Sequence, residues 1–330
     1  MILDRIDDQA LRVGIVGTGF IGAGWAVVFA RAGCDVRLFD PAKEAAERGA
    51  ALARDIVGRV PVAPARGRGN IRLVGSLAEA IADADWVQES GPEDADVKIR
   101  ILMELDAIAP AGAIIASSTS AIMPSRFMER VPGRARCLVA HPFNPPYLIP
   151  VVELVPSPWT DPEIVERARA ILSFVGQSPV LVAREVAGFI ANRLQAAVIS
   201  EAISLVARGV AAPEDVDACM VGALGLRWAL MGPFETMDSN APGGFAAYVG
   251  RFGDSYQDLV RDLRVADPWP QDALDRIEGA LRRRRPIDEL PEFNSWRDMM
   301  VARLRSLVAS EQGELSLDLE NRRPAPPPWS

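Results

Sequence analysis

The chain has 330 residues, with 36 basic side chains, 44 acidic side chains and a single histidine, so its formal net charge is −8. This length predicts two domains, and a hydrophobic share of 49% excludes an intrinsically disordered chain. The acidic balance argues against a nucleic-acid partner, because such binding needs basic patches that neutralise phosphates. The one basic cluster, residues 282–285, is interpreted as a solvated helix end or loop.

The cysteines and the first residues of the chain bear on metal binding and on cellular location. Cys34, Cys137 and Cys219 lie far apart, and with one histidine they form no local zinc or iron–sulfur pattern, so we expect no metal site. Residues 1–11 lack the basic and apolar regions of a signal peptide, and no apolar run approaches the roughly 18 residues of a membrane span. We therefore expect a cytoplasmic protein with no membrane partner.

The first predicted elements form a βαβ unit. Residues 11–16 are an apolar run typical of a buried strand, and the glycine-rich turn 17–22 follows. Residues 21–32 have helical spacing, and residues 36–39 predict the next strand.

The alternation of strands and helices continues to about residue 185. It predicts an α/β fold, a Rossmann-type doubly wound and mostly parallel sheet with helices on both faces. The further predicted strands are 71–74, 86–88, 113–116, 137–140 and 179–183, and the further predicted helices are 77–82, 94–109 and 162–175.

Helical periodicity dominates after Gly188, which predicts a second, all-helical domain. Its predicted helices are 192–208, 213–224, 244–252 and 293–310. We place the domains at 1–185 and 186–312, followed by a flexible tail, 313–330, whose end is rich in proline and arginine.

The turn Gly17-Thr18-Gly19-Phe20-Ile21-Gly22 matches the dinucleotide-binding pattern G-x-G-x-x-G. The glycines permit the tight turn, the approach of a pyrophosphate and close helix packing, and Phe20 and Ile21 open the helix whose N-terminus faces the pyrophosphate. Asp40 follows the next strand, where a carboxylate binds ribose hydroxyls and favours NAD over NADP. A plain turn with a capping aspartate, or an FAD site, is the alternative.

His141 follows a predicted strand, at the edge of the sheet where open α/β proteins place ligands. Glu153 lies in the apolar run 151–155 and needs a partner if buried, for which His141 is a candidate. Such a pair would serve as a general acid and base; a purely structural histidine is the alternative. Ser117, Ser118, Thr119 and Ser120 follow another strand, and such clusters are also common in turns and N-caps.

Over residues 11–312 the chain resembles the L-3-hydroxyacyl-CoA dehydrogenase superfamily, most closely its L-gulonate 3-dehydrogenase and lambda-crystallin branch. The motifs that carry this resemblance are 17–22, V-Q-E at 87–89 with Pro92-Glu93, S-S-T-S at 117–120, the segment 141–150, G-F-I-A-N-R-L at 188–194 and G-P-F-E at 232–235. The resemblance implies NAD as cofactor, a small-molecule substrate and a homodimer formed through the helical domain.

The resemblance also implies roles for individual residues. His141 aligns with the general acid/base and Glu153 with its acidic partner, and Ser120 and Asn192 align with the residues that bind the reacting oxygen. The residues aligned with the cofactor site, beside the glycine turn and Asp40, are Glu93, Lys98 and Ser118. The implied reaction oxidises a 3-hydroxyl with transfer of hydride to NAD.

Two departures bear on the substrate. Residues 59–70 are short and rich in proline and arginine where the acyl-CoA branch carries a longer helical insertion, which speaks against a CoA thioester. Arg227 stands where the acyl-CoA enzymes lack an arginine, and a guanidinium suits a free carboxylate, so an L-3-hydroxy acid of the L-gulonate type is favoured. The alternative for Arg227 is a structural arginine that pairs with a carboxylate across the dimer. The alternatives for the function are an L-3-hydroxyacyl-CoA dehydrogenase and a structural, crystallin-like NAD-binding protein.

Overall fold

The computed structural model describes residues 10–59, 69–263 and 269–315. The chain divides into two compact units, residues 1–193 and residues 194–330. The short segment that is rich in proline and arginine lies outside the described residues at 60–68, and the predicted flexible tail, 313–330, lies outside them from residue 316 onward.

The first unit contains an eight-stranded sheet in the order β3-β2-β1-β4-β5-β6-β7-β8. Its strands are β1 Arg12–Val16, β2 Asp35–Phe39, β3 Asn70–Leu73, β4 Trp86–Glu89, β5 Ile114–Ser117, β6 Cys137–Pro142, β7 Val151–Pro156 and β8 Ser178–Leu181. Only β6 and β7 pair antiparallel; the other neighbours are parallel. The predicted Rossmann-type, mostly parallel doubly wound sheet is confirmed.

Helices connect the parallel strands, as their crossovers require. They are α1 Phe20–Arg31, α2 Lys43–Arg59, α3 Leu77–Ile81, α4 Ala95–Ile108, α5 Ser125–Met128 and α6 Pro162–Phe174. Every residue of β4, β5 and β6 is buried, as expected for central strands of a sheet covered on both faces. The strand order reverses between β1 and β4, and ligands of such sheets bind beyond the carboxyl ends of the strands at this point.

Three elements of this unit are not predicted as such from the sequence, namely α2, the short helix α5 and β7. Helix α2 is strongly polar, and its Gly49 packs against the glycine turn, where an added Cβ would overlap the Thr18 carbonyl oxygen. Strand β7 corresponds to the apolar run 151–155 of the sequence, and it supplies the antiparallel partner of β6.

The helices from α7 onward make up the second unit, apart from the first residues of α7. They are α7 Ala191–Ala207, α8 Pro213–Cys219, α9 Leu226–Trp228, α10 Pro233–Ser239, α11 Gly244–Asp262, α12 Gln271–Arg284 and α13 Leu290–Leu315. The predicted helix 213–224 is interrupted, because a π-helical stretch, Met220–Gly225, follows α8. Helix α13 continues past the predicted end at residue 310, and the basic cluster forms the last turn of α12.

The second unit leaves many large apolar side chains exposed, which is unusual for a surface that contacts only solvent. The most exposed of them, each at 60% or more, are Leu194, Val210, Val221, Leu226, Leu230, Phe234, Leu259, Val260 and Ile287. None of the described helices is long and apolar enough to cross a membrane.

Candidate active site

The three glycines of the turn have different surroundings. Gly17 has φ +92°, and a Cβ on it would lie 2.5 Å from the Ser90 carbonyl oxygen. A Cβ on Gly22 would overlap the Gly17 carbonyl oxygen, whereas one on Gly19 would meet no atom within 4 Å. The fold therefore requires glycine at the first and third positions. The second position is open, as the approach of a pyrophosphate to the backbone requires.

Asp40 braces this turn from the end of β2. Its Oδ2 accepts hydrogen bonds from the Thr18 backbone N–H (2.9 Å) and the Thr18 hydroxyl (3.3 Å), and its Oδ1 accepts one from the Ala42 N–H (3.0 Å). Helix α1 begins directly after Gly19, and the N–H groups of a first helical turn have no acceptor within their own helix. These residues fit the pyrophosphate and ribose of NAD.

His141 and Glu153 face each other across the antiparallel pair of strands. They are register partners in β6 and β7, and His141 Nδ1 lies 2.8 Å from Glu153 Oε2. An ionised carboxylate only accepts, so Nδ1 carries the proton and the neutral ring presents Nε2 as its proton acceptor. The predicted pairing of these two residues is present, and both side chains are buried.

The second oxygen of Glu153 binds the start of α7. Its Oε1 accepts hydrogen bonds from the N–H groups of Ile190 (2.8 Å) and Ala191 (2.9 Å). Burial acts to raise the pKa of Glu153, but the bonds from His141 and from these two N–H groups outweigh it, so the net pKa lies below the ordinary value. Glu153 is therefore a charged partner for the imidazole.

Two phenylalanines pack against the imidazole. The ring centroids of Phe143 and Phe189 lie 4.9 Å and 5.6 Å from that of His141. Phe189 is fully buried and has φ +51°, a left-handed conformation that non-glycine residues seldom adopt. Such backbone conformations persist where the surrounding structure enforces them, here between Gly188 and the anchored start of α7.

Ser120 and Asn192 are adjacent in the first unit. The Asn192 side-chain amide donates to the Ser120 carbonyl oxygen at 2.7 Å, which joins the turn after β5 to the start of α7. Asn192 follows Ile190 and Ala191, whose N–H groups bind Glu153, so one chain segment contacts both the histidine partner and the serine turn.

Glu93 holds the turn that carries Ser120. Its Oε1 accepts hydrogen bonds from the Thr119 hydroxyl (2.6 Å), the Ser120 N–H (2.9 Å), the Ala121 N–H (3.1 Å) and the Ser120 hydroxyl (3.2 Å). Burial acts to raise the pKa of Glu93, but the Thr119 bond, the backbone bonds and the charge of Lys98 lower it overall.

Ser118 points to a different set of partners. Its hydroxyl oxygen lies 3.2 Å from Trp25 Nε1, 2.8 Å from Gln88 Nε2 and 2.8 Å from the Ser90 hydroxyl. The side chain thus ties α1 to the ends of β4 and β5, next to the glycine turn.

Lys98 is fully buried and paired with Glu89, a residue for which the sequence predicts no role. Its ammonium lies 2.9 Å from both Glu89 carboxylate oxygens and 3.9 Å from Glu93 Oε2. Glu89 also accepts hydrogen bonds from the Ser117 hydroxyl and the Gly91 N–H. The available signal was positional, since Glu89 directly follows the predicted strand 86–88.

Arg227 belongs to the second unit and is exposed. Its Nε donates to the Ala223 carbonyl oxygen at 3.1 Å. Within the described ranges, no carboxylate forms an ion pair with it, so its guanidinium has hydrogen-bonding capacity left for an anion.

A glycine turn that opens a helix at the switch point of a doubly wound sheet, with an aspartate after the next strand, is typical of a Rossmann-type NAD-dependent dehydrogenase. A family model described as the NAD binding domain of 3-hydroxyacyl-CoA dehydrogenase matches residues 12–186, and a model of the C-terminal domain of that enzyme matches residues 188–266. The chain belongs to the 3-hydroxyacyl-CoA dehydrogenase family, an NAD-dependent oxidoreductase family.

Relatives match over most of their length. Lambda-crystallin of Oryctolagus cuniculus is 35% identical over 318 residues, which cover 90% of this chain and 96% of that protein. L-carnitine dehydrogenase of Streptomyces griseus is 40% identical over 278 residues, 83% of this chain and 80% of that protein. The crystal structure of an NAD⁺-dependent 5-formyl-3-hydroxy-2-methylpyridine 4-carboxylic acid 5-dehydrogenase superposes with a TM-score of 0.79 at 27% identity, covering 91% of this chain and 99% of that one. The resemblance seen in the sequence is confirmed.

The glycine turn yields a first prediction. Gly22→Ala places a methyl group against the Gly17 carbonyl oxygen, so the turn must shift. Overpacking of this kind costs about 1–3 kcal/mol, and a pyrophosphate site displaced by the same strain should raise the Kd of NAD about tenfold or more. Calorimetric titration with NAD measures this Kd. Gly58→Ala in α2, where a Cβ meets nothing within 4 Å, is the matched control and should leave the Kd unchanged.

The buried ion pair yields a second prediction. Lys98→Met strands the Glu89 carboxylate without its cation, which should lower the free energy of unfolding by about 3–5 kcal/mol, whereas Glu89→Gln combined with Lys98→Met should recover most of that loss. Urea unfolding measures both. Lys43→Met, which removes an exposed lysine 4.0 Å from Glu47, is the control and should change stability by less than about 0.5 kcal/mol. Equal losses in the single and double variants would contradict this account of the pair.

Proposed function

We propose that the protein oxidises the 3-hydroxyl of an L-3-hydroxy acid with a free carboxylate, of the L-gulonate type, to the 3-oxo acid. The observation that carries the proposal is the buried His141–Glu153 pair, with Nδ1 and Oε2 2.8 Å apart at the carboxyl end of β6. This pair lies in the NAD-binding domain. Oxidation of an alcohol requires a hydride acceptor, which NAD supplies, and a general base for the hydroxyl proton, which the pair would supply.

In the proposed reaction, His141 Nε2 takes the proton of the substrate hydroxyl. NAD, when bound, supplies the acceptor for the hydride from C3. Glu153 stabilises the imidazolium that forms, because its carboxylate already accepts the Nδ1 hydrogen. Ser120 and Asn192 stabilise the negative charge that develops on the substrate oxygen, and in the reverse direction His141 returns the proton to the 3-oxo group.

A histidine variant tests the base. His141→Gln removes the only imidazole in the chain, so we expect turnover to fall by at least about a hundredfold, while the Kd of NAD stays within about twofold. NADH absorbance measures turnover and calorimetry measures the Kd. Substantial remaining turnover would exclude His141 as the base, and loss of NAD binding would indicate a structural role for this side chain.

Arg227 supports a carboxylate substrate. It is exposed and has no carboxylate partner among the described residues. Carnitine carries a free carboxylate beside its hydroxyl, and the pyridine substrate named for the related crystal structure is also a carboxylic acid. A guanidinium binds a carboxylate through two parallel hydrogen bonds, which a thioester does not offer.

The substrate class is tested by comparing acids with a thioester. Arg227→Ala should raise the KM of L-gulonate, L-carnitine or 3-hydroxybutyrate, whichever the protein turns over, by about tenfold or more, because a hydrogen bond to a charged group contributes about 1.5–3 kcal/mol. Arg251→Ala, another exposed arginine of the second unit, is the control. Turnover of 3-hydroxybutyryl-CoA far above that of free acids would favour the acyl-CoA alternative, and no NADH from any of them would favour the structural, crystallin-like alternative.

The exposed apolar side chains of the second unit support the homodimer. Surfaces of this kind on a protein without membrane-spanning helices in its described part are typical of interfaces between subunits. The sedimentation mass of Arg227→Ala then separates the two roles of the arginine. Loss of an arginine that only binds a ligand leaves the dimer intact, whereas loss of an arginine that pairs with a carboxylate across the dimer weakens it.

The state of the cysteines supports a cytoplasmic location. Cys34 and Cys137 are buried free thiols, and burial raises the pKa of each to about 12. Cys219 is an exposed free thiol. Such a set is suited to a reducing compartment.

A further inference from the structure

The turn at residues 117–121 has an unusual anchor. A single carboxylate oxygen, Glu93 Oε1, accepts hydrogen bonds from three consecutive residues, Thr119, Ser120 and Ala121. Two of these donors are backbone N–H groups, at 2.9 Å and 3.1 Å, so the carboxylate determines the path of the chain and not only the orientation of side chains. A group engaged in this way braces a turn.

The hydroxyl group of Ser120 can still rotate although its backbone is held by Glu93. Its contact with Glu93, at 3.2 Å, is the longest of the four, and a hydroxyl hydrogen rotates about its C–O bond. The Ser120 backbone is held on one side by Glu93 and on the other by the Asn192 amide, 2.7 Å from the Ser120 carbonyl oxygen. Ser120 can therefore donate to another acceptor while its main chain remains fixed.

The brace is itself supported from the interior. Lys98 is 1% exposed, pairs with Glu89 and lies 3.9 Å from Glu93 Oε2, the oxygen that the turn does not use. Glu89 in turn binds the Ser117 hydroxyl, and its carbonyl oxygen accepts the Ser118 N–H at 2.8 Å. The two carboxylates and the lysine thus hold both the start and the end of the same turn.

We propose that Glu93 is a positioning residue for Ser120, supported by the buried Glu89–Lys98 pair, and that it acts on the reaction through the serine turn. The proposal rests on the proposed reaction, in which Ser120 binds the reacting oxygen. Misplacement of such a group by about 1 Å is enough to cost about a hundredfold in rate, so a brace of this kind has a measurable effect.

Amide exchange tests the brace without reference to activity. In Glu93→Ala, the Ser120 and Ala121 N–H groups lose their acceptor, so hydrogen–deuterium exchange of a peptide spanning 117–124 should become at least about tenfold faster. Glu93→Gln keeps an acceptor oxygen at this site and should restore most of the protection. Glu104→Gln, an exposed acid on α4, is the control and should exchange like the wild type.

A double-mutant cycle tests the action through Ser120. Glu93→Ala should lower kcat/KM for the hydroxy acid about ten- to a hundredfold, Ser120→Ala about a hundredfold or more, and the double variant should stay within about threefold of Ser120→Ala alone. All three variants are measured at saturating NAD, so that a change in cofactor affinity does not enter the comparison.

Losses that multiply in the double variant would overturn the proposal, because Glu93 would then act independently of Ser120. Unchanged exchange in Glu93→Ala would overturn it as well. If the wild type forms no NADH from any hydroxy acid, the proposed function fails, while the exchange measurement still decides whether Glu93 braces the turn.

Discussion

The arrangement of the site depends on one carboxylate, that of Glu153. Its Oε2 binds His141 across the β6–β7 pair and its Oε1 binds the N–H groups that open α7. The same charge therefore selects the imidazole tautomer and anchors the segment that carries Phe189 and Asn192. An N-terminal helix dipole and two N–H donors favour the ionised carboxyl, so the partner of the histidine is charged before any ligand arrives.

The antiparallel strand β7 makes this arrangement possible. In a parallel neighbour, residues 12 positions apart would not become partners, because a crossover helix would have to intervene. The antiparallel turn back along β6 brings Glu153 directly opposite His141. One reversed strand at the end of the parallel region thus converts two distant residues into a buried hydrogen-bonded pair.

The sequence was most informative where structure is local. The glycine turn, Asp40 and the strand that carries His141 lie within short segments, and the residue pattern of each segment is enough to predict its conformation. Helix α2 was missed because its exposed face is largely charged, and the break at Met220–Gly225 was missed because an apolar stretch is equally compatible with α- and π-helical hydrogen bonding. The Glu93 and Lys98 contacts depend on how β4, β5 and α4 meet, which no local pattern encodes.

Most polar groups around the site already have protein partners. Ser118 binds three side chains, Asn192 binds the Ser120 carbonyl oxygen, and the charge of Lys98 is balanced by Glu89. Dipoles held in this way need little rearrangement when charge develops on a reacting oxygen. The carboxylate of Asp40 also has protein partners. Its Oδ2 accepts both hydrogen bonds from Thr18 in the glycine turn, so a substitution of Asp40 made to admit a 2′-phosphate would also remove a support of this turn and would need to replace it.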